Sequence, residues 1–479
     1  MSVTVQQHKN FIGGEWVDSD GGTMEVLNPA TGEVLAEVQR STEADVDRAV
    51  DAAKKALPEW LEKTPKERME LLLKLAELID EHAEELGKLE SLNVGKPMSI
   101  AVDEMPTSAD NLRFFAGAAR TLEGKSAGEY VQGYTSLIRR EPLGLVAGIT
   151  PWNYPLMMVV WKLGPALAAG NVQILKPAEQ TPLTTLRFAE LAQDFLPPGV
   201  VQVVTGDGVP VGDRLVRHPD IRLVSLTGDV ATGKLIAANA AGTLKRVHLE
   251  LGGKAPMVVL DDADPDHVAE AIKIGGYWNS GQDCTASSRI LVNERIYDDV
   301  LTKTKGVIEA MKVGDPAEGD DIEMGPVISK EQQERVLGFL ERLDGKATVV
   351  TGGGAIGDRG FFVKPTIVAD VTQDSEIVQD EVFGPVISVQ RFASDDEAVE
   401  MANGVRYGLA ASVFSRDVGR AMSAARKLEF GTVWINEHLF PLASEMPHGG
   451  FKESGYGKDL SLYSMEEYTR IKHVAVKLS

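Results

Sequence analysis

The stretch LGLVAGIT (143–150) decides the fold, because it is a short apolar run of strand length that begins a repeated pattern. Three similar runs follow it along the chain: NVQILKP (171–177), VVQVVTG (200–206) and IRLVSLTG (221–228). Segments with a helix-like pattern lie between these runs, at 154–169, 181–195 and 209–218. Short apolar strands that alternate with helices predict a parallel sheet with both faces covered. Such sheets bind ligands at the carboxyl ends of their strands, so cofactor contacts are expected in the loops that follow.

A second alternating block follows residue 250 and predicts another α/β domain. Its apolar runs are APMVVL (255–260), SRILVN (288–293), ISVQRF (387–392) and TVWIN (432–436), with a helix expected at about 265–278. Upstream, glycine turns in the first thirty residues predict short strands. Helices are expected at 43–60, with Thr42 as N-cap, and at 67–92, ending near Gly95 and Pro97.

Composition and charge narrow the class of protein. The 479 residues are enough for two or three domains, and the hydrophobic (43%) and charged (25%) fractions are those of a soluble globular protein. The net charge of −22 indicates a solvated acidic surface, with adaptation to high salt as the lesser alternative, and it disfavours a nucleic-acid partner. One cysteine allows no internal disulfide. Without a signal-like apolar core or a run of roughly 20 apolar residues, a cytoplasmic protein without a membrane partner is expected.

The single cysteine, Cys284, lies in GYWNSGQDCTASSRILV (276–292). A lone cysteine is more often a small buried hydrophobe than a nucleophile. Here Gly281 permits a tight turn beside the thiol, and small polar residues surround it, which favours an accessible catalytic group. The thiolate is the reactive form, so the site must lower the thiol pKa or supply a base. The sequence alone leaves both routes open.

Seven short sequence motifs follow one another along the chain. They are PWNYP (151–155), KPAE (176–179), SLTGDVATG (225–233), LELGGK (249–254), GQDC (281–284), EVFGP (381–385) and PHGGFKESGYGKD (447–459). Together they resemble the aldehyde dehydrogenase superfamily over essentially the full chain. Further phrases are most similar to the γ-aminobutyraldehyde dehydrogenases, close to the betaine-aldehyde and aminoaldehyde branch: RFFAGAAR (113–120), PWNYPLMMVVWKL (151–163), SEMPHGG (444–450) and SGYGKDLSLYSMEEYT (454–469).

The resemblance implies an α/β architecture of three parts. A Rossmann-like NAD-binding domain is expected at 1–120 and 142–250, and a catalytic α/β domain at 251–450. A small oligomerisation arm is expected at 121–141 and 451–479. The resemblance also implies a homo-oligomer, with a tetramer favoured over a dimer.

The resemblance further implies oxidation of an aldehyde to the acid through a thiohemiacetal and a thioester on Cys284. Asn153 and the backbone N–H of Cys284 would stabilise the oxyanion, where one lost donor costs about 3 kcal/mol. Glu250 would be the base that hydrolyses the thioester, and its small or apolar neighbours favour a raised pKa. It also disfavours a CoA-acylating enzyme. Lys176 completes the implied catalytic set. Taken alone, Asn153 could be a turn residue and Glu250 an exposed strand end.

NAD is the implied cofactor, and no metal site is expected. The implied contacts are Trp152, Lys176, Glu179, Gly206, Thr227, Gly228, Glu381 and Phe383. Lys176 and Glu179 would bind the adenosine ribose, and a carboxylate there repels a 2′-phosphate and favours NAD over NADP. Glu381 would bind the nicotinamide ribose. Asp229 replaces the small hydroxyl residue usual in the family, so it either caps the next helix or alters cofactor binding.

The implied substrate tunnel combines aromatic and acidic residues: Glu104, Tyr154, Trp161, Trp278 and His448. Aromatic walls suit a cationic or aromatic substrate, and Glu104 would pair with an ammonium group. The alternative is that the tryptophans are core and Glu104 is surface. His448 replaces a bulky aromatic common in betaine-aldehyde enzymes. A γ-aminobutyraldehyde or other ω-aminoaldehyde dehydrogenase is therefore expected; betaine, aliphatic or aromatic aldehyde dehydrogenases and a non-catalytic paralogue remain alternatives.

Overall fold

The computed structural model describes residues 6–440 and 442–478. Residues 1–5, 441 and 479, which the expected domain ranges include, lie outside the described residues. The strands are β1 (Gln6–His8), β2 (Asn10–Ile12), β3 (Glu15–Val17), β4 (Thr23–Leu27), β5 (Val34–Gln39), β6 (Gly128–Val131), β7 (Tyr134–Pro142), β8 (Leu145–Ile149), β9 (Val172–Lys176), β10 (Val201–Val203), β11 (Ile221–Gly228), β12 (Arg246–Leu251), β13 (Pro256–Val259), β14 (Arg289–Asn293), β15 (Thr348–Thr351), β16 (Thr366–Ala369), β17 (Val386–Phe392), β18 (Tyr407–Gly408), β19 (Ala410–Phe414), β20 (Thr432–Ile435), β21 (Phe451–Lys452), β22 (Gly455–Tyr456) and β23 (Thr469–Lys477).

Helices separate most of these strands. They are α1 (Glu43–Leu61), α2 (Pro65–Glu81), α3 (Ala83–Val94), α4 (Met98–Ala119), α5 (Pro155–Ala169), α6 (Leu183–Ala192), α7 (Asp213–Arg217), α8 (Val230–Ala240), α9 (Pro265–Tyr277), α10 (Tyr297–Glu309), α11 (Lys330–Glu341), α12 (Glu376–Gln379), α13 (Asp395–Asn403), α14 (Val418–Lys427) and α15 (Ser461–Glu467). None of the helices within 6–440 and 442–478 is long and apolar enough to cross a membrane.

An eight-stranded sheet in the order β22-β12-β11-β8-β9-β10-β2-β3 contains the four predicted strands that begin at LGLVAGIT. Its five central strands are parallel, and its edge pairings are antiparallel. The chain runs from β8 outward to β10 and then returns to β11 on the other side of β8. The strand order therefore reverses between β8 and β11, which is where an open α/β sheet forms a ligand-binding crevice.

A seven-stranded sheet forms the second α/β unit, in the order β15-β16-β17-β14-β13-β19-β20. All its pairings are parallel except that of β15 with β16. Strands β13 and β14 are buried along their whole length, as expected of a sheet covered on both faces. The two sheets confirm the predicted α/β class.

A separate three-stranded sheet joins distant parts of the chain in the order β23-β7-β6. Strand β23 pairs with β7 over nine residues, from Thr469 opposite Pro142 to Lys477 opposite Tyr134. Parts of the two ranges expected to form an arm, 121–141 and 451–479, thus meet in one sheet, but residues 455–456 of the second range pair instead with β12 in the eight-stranded sheet. The side chains of Ile471 (65%) and Val476 (46%) are exposed on β23.

The helix starting at Glu43 has the predicted Thr42 N-cap, in a capping box with Asp45. The predicted single helix over 67–92 is wrong, because the chain leaves the helical conformation at His82 (φ −112°, ψ 18°). Glutamates in the first turn of α3 favour a new helix N-terminus there. Apolar spacing does not detect a break of one residue. The predicted end at Gly95 is confirmed, since it adopts φ 86°.

Candidate active site

A cavity of about 980 Å³ opens at the carboxyl ends of β8, β9 and β11, and loops and helices of the second α/β unit contribute to its walls. Cys284, Asn153 and Glu250 all line this cavity. Asn153 follows β8, Glu250 lies in β12, and Cys284 lies in the loop between α9 and β14. The fold therefore brings the three principal candidate catalytic residues to one place.

The loop that carries Cys284 has an unusual backbone. Asn279, Ser280 and Gly281 adopt left-handed conformations in succession, with φ of 48°, 59° and 67°. Such conformations persist at non-glycine residues only where the surroundings fix them. Asn279 Nδ2 donates to the Asn153 carbonyl (3.1 Å), and Ser280 Oγ donates to that of Gly325 (2.9 Å). A side chain at Gly281 would collide with the Gly384 carbonyl, so glycine is required in GQDC.

Asn153 is held beside this loop by its own side chain. Its amide is 4% exposed, and Nδ2 donates to the carbonyl oxygen of Gln282 at 3.0 Å. An amide nitrogen carries two N–H groups, so the second can donate to an oxyanion formed at Cys284. The geometry thus suits the role that the sequence implied for Asn153.

The protein's own charges oppose ionisation of Cys284. Burial raises the pKa of the thiol well above its ordinary value, and the carboxylates of Asp283, Glu250 and Glu381 raise it further. A backbone hydrogen bond acts in the opposite direction. The thiol faces a cavity yet is surrounded by groups that disfavour a thiolate.

Glu250 is almost fully buried (1%) and lines the same cavity. Burial raises its pKa well above the ordinary carboxyl value, and Asp459 raises it further. His448 Nε2 lies 3.7 Å from Glu250 Oε1, but burial lowers the pKa of His448 to about 4, which keeps the imidazole neutral at pH 7. A carboxylate with a raised pKa is suited to general-base catalysis near neutral pH.

Two of the predicted cofactor residues lie at the carboxyl end of β9, where Lys176 is the last residue of the strand and Glu179 follows it. Lys176 Nζ lies 3.3 Å from Glu179 Oε2 and also donates to the Pro177 carbonyl at 3.2 Å. At the end of β11, the buried Thr227 hydroxyl has no hydrogen-bond partner among the residues that the structure describes. All three side chains line the cavity with Gly228. An orphaned hydroxyl in a cavity wall calls for a polar ligand, and the set fits the ribose and phosphate groups of NAD.

The other end of the predicted cofactor site carries an aromatic pair. Trp152 and Phe383 meet edge to face, with ring centroids 5.2 Å apart. Beside them, Glu381 Oε1 accepts a hydrogen bond from the Gly253 N–H at 2.7 Å, and burial raises the Glu381 pKa to about 7. All these side chains line the cavity that contains Cys284.

Asp229 is the N-cap of α8. Its carboxylate accepts hydrogen bonds from the backbone N–H (2.9 Å) and the hydroxyl (2.6 Å) of Thr232. The capping interpretation is therefore confirmed, although Asp229 also lines the cavity. Nearby, Lys234 and Arg335 contribute positive charge to the same walls, which the sequence analysis did not identify.

Gly206 is not among the residues that line the cavity, so its contact with the adenine stays a prediction. A Cβ atom at this position would lie 2.7 Å from Val211 Cγ2 and 3.1 Å from the backbone nitrogen of Ser41. Close packing between neighbouring segments is therefore one reason for a glycine here.

The predicted aromatic positions Tyr154, Trp161, Trp278 and His448 all line the cavity. The rings of Trp161 and His448 meet edge to face at 5.2 Å. Trp278 packs in the same way against Phe440, at 5.1 Å. Phe440 is a further wall residue that the sequence analysis missed, since nothing in its local pattern links it to Trp278.

The alternative that Glu104 is a surface residue is wrong, and its carboxylate already contacts a cation of the protein. It is buried (5%), and the Lys96 ammonium contacts both of its carboxylate oxygens, at 2.7 and 3.0 Å. Lys96 is itself fully buried and lies 3.4 Å from a second carboxylate oxygen, Glu90 Oε1. Glu104 touches the cavity, but an intramolecular ion pair already occupies its charge.

Asp283 is an acidic wall residue that the sequence analysis did not single out, although it stands directly before Cys284 in GQDC. It is 8% exposed. One carboxylate oxygen accepts the Tyr154 hydroxyl at 2.5 Å, and the other accepts the Thr285 N–H and hydroxyl, each at 2.6 Å. Its position beside the nucleophile was the available signal.

Comparison with known proteins agrees with this geometry. The profile of the aldehyde dehydrogenase family matches residues 16–474. A betaine aldehyde dehydrogenase of Rhizobium etli is 42% identical over 477 residues, covering 98% of this chain and 96% of the relative. An aldehyde dehydrogenase of Alternaria alternata is 41% identical, with coverage of 98% and 95%. The crystal structure of a Staphylococcus aureus betaine aldehyde dehydrogenase in complex with NAD⁺ superposes with a TM-score of 0.96 at 38% identity, covering 98% of this chain and 95% of the other.

Proposed function

The chain belongs to the aldehyde dehydrogenase family and oxidises aldehydes with NAD, and we propose that its preferred substrates carry a cationic ω-end, γ-aminobutyraldehyde foremost. One observation carries the proposal. The cavity that contains Cys284 has aromatic walls and a buried carboxylate, Asp283, next to the nucleophile. Aromatic faces and an anion are the groups that attract an alkylammonium ion.

We assign the steps of the reaction to the residues of this cavity. The Cys284 thiolate adds to the aldehyde carbon, while Asn153 Nδ2 and the Cys284 N–H donate to the resulting oxyanion. When bound, NAD supplies the hydride acceptor, and loss of hydride from the carbon leaves a thioester on Cys284. Glu250 then removes a proton from water, which attacks the thioester, releases the acid and restores the thiol. Lys176 acts at a distance, by fixing the adenosine ribose with Glu179.

The charges of the cavity support a cationic substrate. His448 is neutral at pH 7 because burial lowers its pKa to about 4, so it does not repel an ammonium group. Trp161 and Trp278 line the same walls. A cation near an aromatic face gains about 0.5–2 kcal/mol, depending on how far it is desolvated.

Betaine aldehyde is the second candidate substrate. It is also cationic, and relatives over 40% identical to this chain bear its name. His448, where betaine-aldehyde enzymes commonly have a bulky aromatic residue, favours the primary ammonium instead. Neutral aliphatic and aromatic aldehydes would gain from the apolar walls alone.

We also propose a tetramer in the cytoplasm, assembled through the sheet of β6, β7 and β23. The exposed apolar side chains of that sheet, such as Ile471, support an interface, because unpaired sheet edges with apolar residues favour association.

A matched substrate panel tests the proposed specificity. NADH formation is followed with γ-aminobutyraldehyde against pentanal, which replaces the ammonium by a methyl group, and with betaine aldehyde against 3,3-dimethylbutanal. We expect kcat/KM to be higher for each cation than for its neutral counterpart, and highest for γ-aminobutyraldehyde. Equal or lower values for both cations would refute the proposed substrate class, and a preference for betaine aldehyde would favour the second candidate.

A further inference from the structure

Asp283 is a buried carboxylate for which the described residues provide no cation within ion-pairing distance. The only groups that contact its oxygens within this part of the chain are uncharged: the Tyr154 hydroxyl and the N–H and hydroxyl of Thr285. These hydrogen bonds fix the carboxylate in the cavity wall but leave its charge uncompensated. A buried charge without a counter-ion is costly, so its placement beside a nucleophile calls for a reason.

The other well-buried acids of the cavity wall have a cationic partner or a proposed role. Glu104 is paired with Lys96 at 2.7 Å. Glu381 is the proposed contact of the nicotinamide ribose, and Glu250 is the proposed base. Asp283 is the remaining buried carboxylate on the cavity wall that faces Tyr154.

The position of Asp283 also has a chemical consequence. Its negative charge adds to burial in raising the pKa of Cys284, together with Glu250 and Glu381. The negative charge of Asp283 therefore disfavours the thiolate of Cys284 as long as no cation is bound beside that carboxylate. A ligand that brings a cation next to Asp283 would remove this penalty.

We propose that Asp283 is the counter-ion of the substrate's ammonium group, and that an ammonium bound there promotes ionisation of Cys284. The inference rests on the proposed cationic substrate class and assigns the recognition to Asp283 instead of Glu104. Asp283 and Cys284 are neighbours in the chain and both line the cavity, which puts the carboxylate and the thiol within reach of one short aldehyde. A cationic substrate thus activates the group that attacks it, whereas a neutral aldehyde does not.

Asp283→Asn is the direct test, because asparagine keeps the shape and can still accept the Thr285 hydrogen bonds through Oδ1. We expect the ratio of kcat/KM for γ-aminobutyraldehyde to that for pentanal to fall about 10- to 100-fold, as expected for one close charge pair. Glu104→Gln should change the ratio less than about threefold. Asp103→Asn, an exposed carboxylate at the same cavity, is the matched control for net charge and should also have a small effect because solvent screens it.

Alkylation of Cys284 by iodoacetamide gives a second readout, which is specific because the chain has one cysteine. The pH midpoint of alkylation reports thiol ionisation. In the unsubstituted enzyme, propylammonium should lower this midpoint and 1-propanol should not. In Asp283→Asn the midpoint should already be lower and should not respond to propylammonium. Glu250 and Glu381, the other charged groups that raise the thiol pKa, are present in both proteins, so the difference isolates Asp283.

The outcomes separate the two proposals. If the unsubstituted enzyme shows no preference for the ammonium substrate, the proposed substrate class fails, while the alkylation midpoints still decide the role of Asp283. If the preference exists and Asp283→Asn retains it, the assignment to Asp283 is overturned, and its loss in Glu104→Gln would move the role there. An Asp283→Asn enzyme inactive on both aldehydes is judged by its alkylation midpoint: an unchanged value contradicts the proposal.

Discussion

Burial raises the pKa of two residues of the site, Glu250 and Cys284, with opposite consequences for their reactivity. Burial raises the pKa of the Glu250 carboxyl, which makes it a better base near neutral pH. The same burial raises the pKa of the Cys284 thiol, which holds back the nucleophile. Both residues are active only when deprotonated, so the two shifts change activity with pH in the same direction.

The pH dependence of turnover follows from these shifts. Activity should be lost as pH falls through the raised pKa of Glu250, well above the ordinary carboxyl range, because the protonated acid cannot accept a proton from water. Steady-state kcat, where thioester hydrolysis limits it, should therefore rise with pH, and Glu250→Gln should abolish that rise along with 10²- to 10⁴-fold of the rate. Stopped-flow NADH bursts provide the control, since they report the Cys284 step. An identical pH profile in Glu250→Gln would exclude Glu250 as the base.

Selectivity for NAD over NADP is a second property that we expect to depend on a single residue, Glu179. Glu179 lies 3.3 Å from Lys176 in the cofactor part of the cavity, where its negative charge should repel a 2′-phosphate. Glu179→Gln should lower the KM for NADP about 10-fold or more while changing the KM for NAD much less. Initial-rate kinetics with both cofactors measure this, with Glu190→Gln, an exposed acid of α6, as control. An unchanged ratio of the two KM values would show that selectivity lies elsewhere.

Among the secondary-structure elements, the strands were predictable from the sequence, whereas several contacts between side chains were not. LGLVAGIT and the three runs after it became β8 to β11, because buried parallel strands leave a plain apolar signal. The GQDC, PWNYP and LELGGK phrases led to three residues that line one cavity. The pairing of Lys96 with Glu104 had no such signal, since it depends on how the short connection between α3 and α4 places Lys96 against α4. Phe440 was missed for the same reason.

The ion pair of Lys96 with Glu104 also fixes elements together. Lys96 precedes α4, Glu104 lies within it, and Glu90 of α3 accepts the N–H of Leu156 in the first turn of α5 at 3.3 Å. Lys96→Met should therefore destabilise the protein by about 3–5 kcal/mol, because two buried carboxylates lose their cation. Lys88→Met, which removes an exposed pair with Glu84, should cost at most about 1 kcal/mol. Urea unfolding measures both, and equal losses would contradict this account.

The whole molecule places its chemistry between two α/β sheets. The first sheet presents the ends of β8, β9 and β11, and the second carries Cys284 in the loop before β14. The sequence predicted both sheets, but periodicity did not reveal the contact between them. That contact depends on details such as the hydrogen bond from Asn153 Nδ2, in the loop after β8, to the Gln282 carbonyl in the loop before β14. Only the resemblance to the family, carried by the seven motifs, predicted that the two units share one site.

Assembly is the property that belongs to the whole molecule. Ile471 is 65% exposed on β23, in the sheet proposed to mediate association. Ile471→Asp should shift the protein toward smaller species, since a buried carboxylate without a partner disfavours an interface. Analytical ultracentrifugation measures the distribution, with Leu244→Asp, an exposed leucine (92%) outside that sheet, as control. A distribution that responds to Leu244→Asp but not to Ile471→Asp would place the interface elsewhere.

Trapping of the thioester tests whether Cys284 carries the covalent intermediate of the reaction. Glu250→Gln is mixed with NAD and an aldehyde, quenched with acid, digested and analysed by mass spectrometry. We expect an acyl group on the peptide that contains Cys284, with one NADH formed per modified chain. A Cys284→Ala, Glu250→Gln double variant should carry no adduct. NADH formation without an acylated Cys284 peptide, or turnover that survives the loss of the thiol, would contradict this role of Cys284.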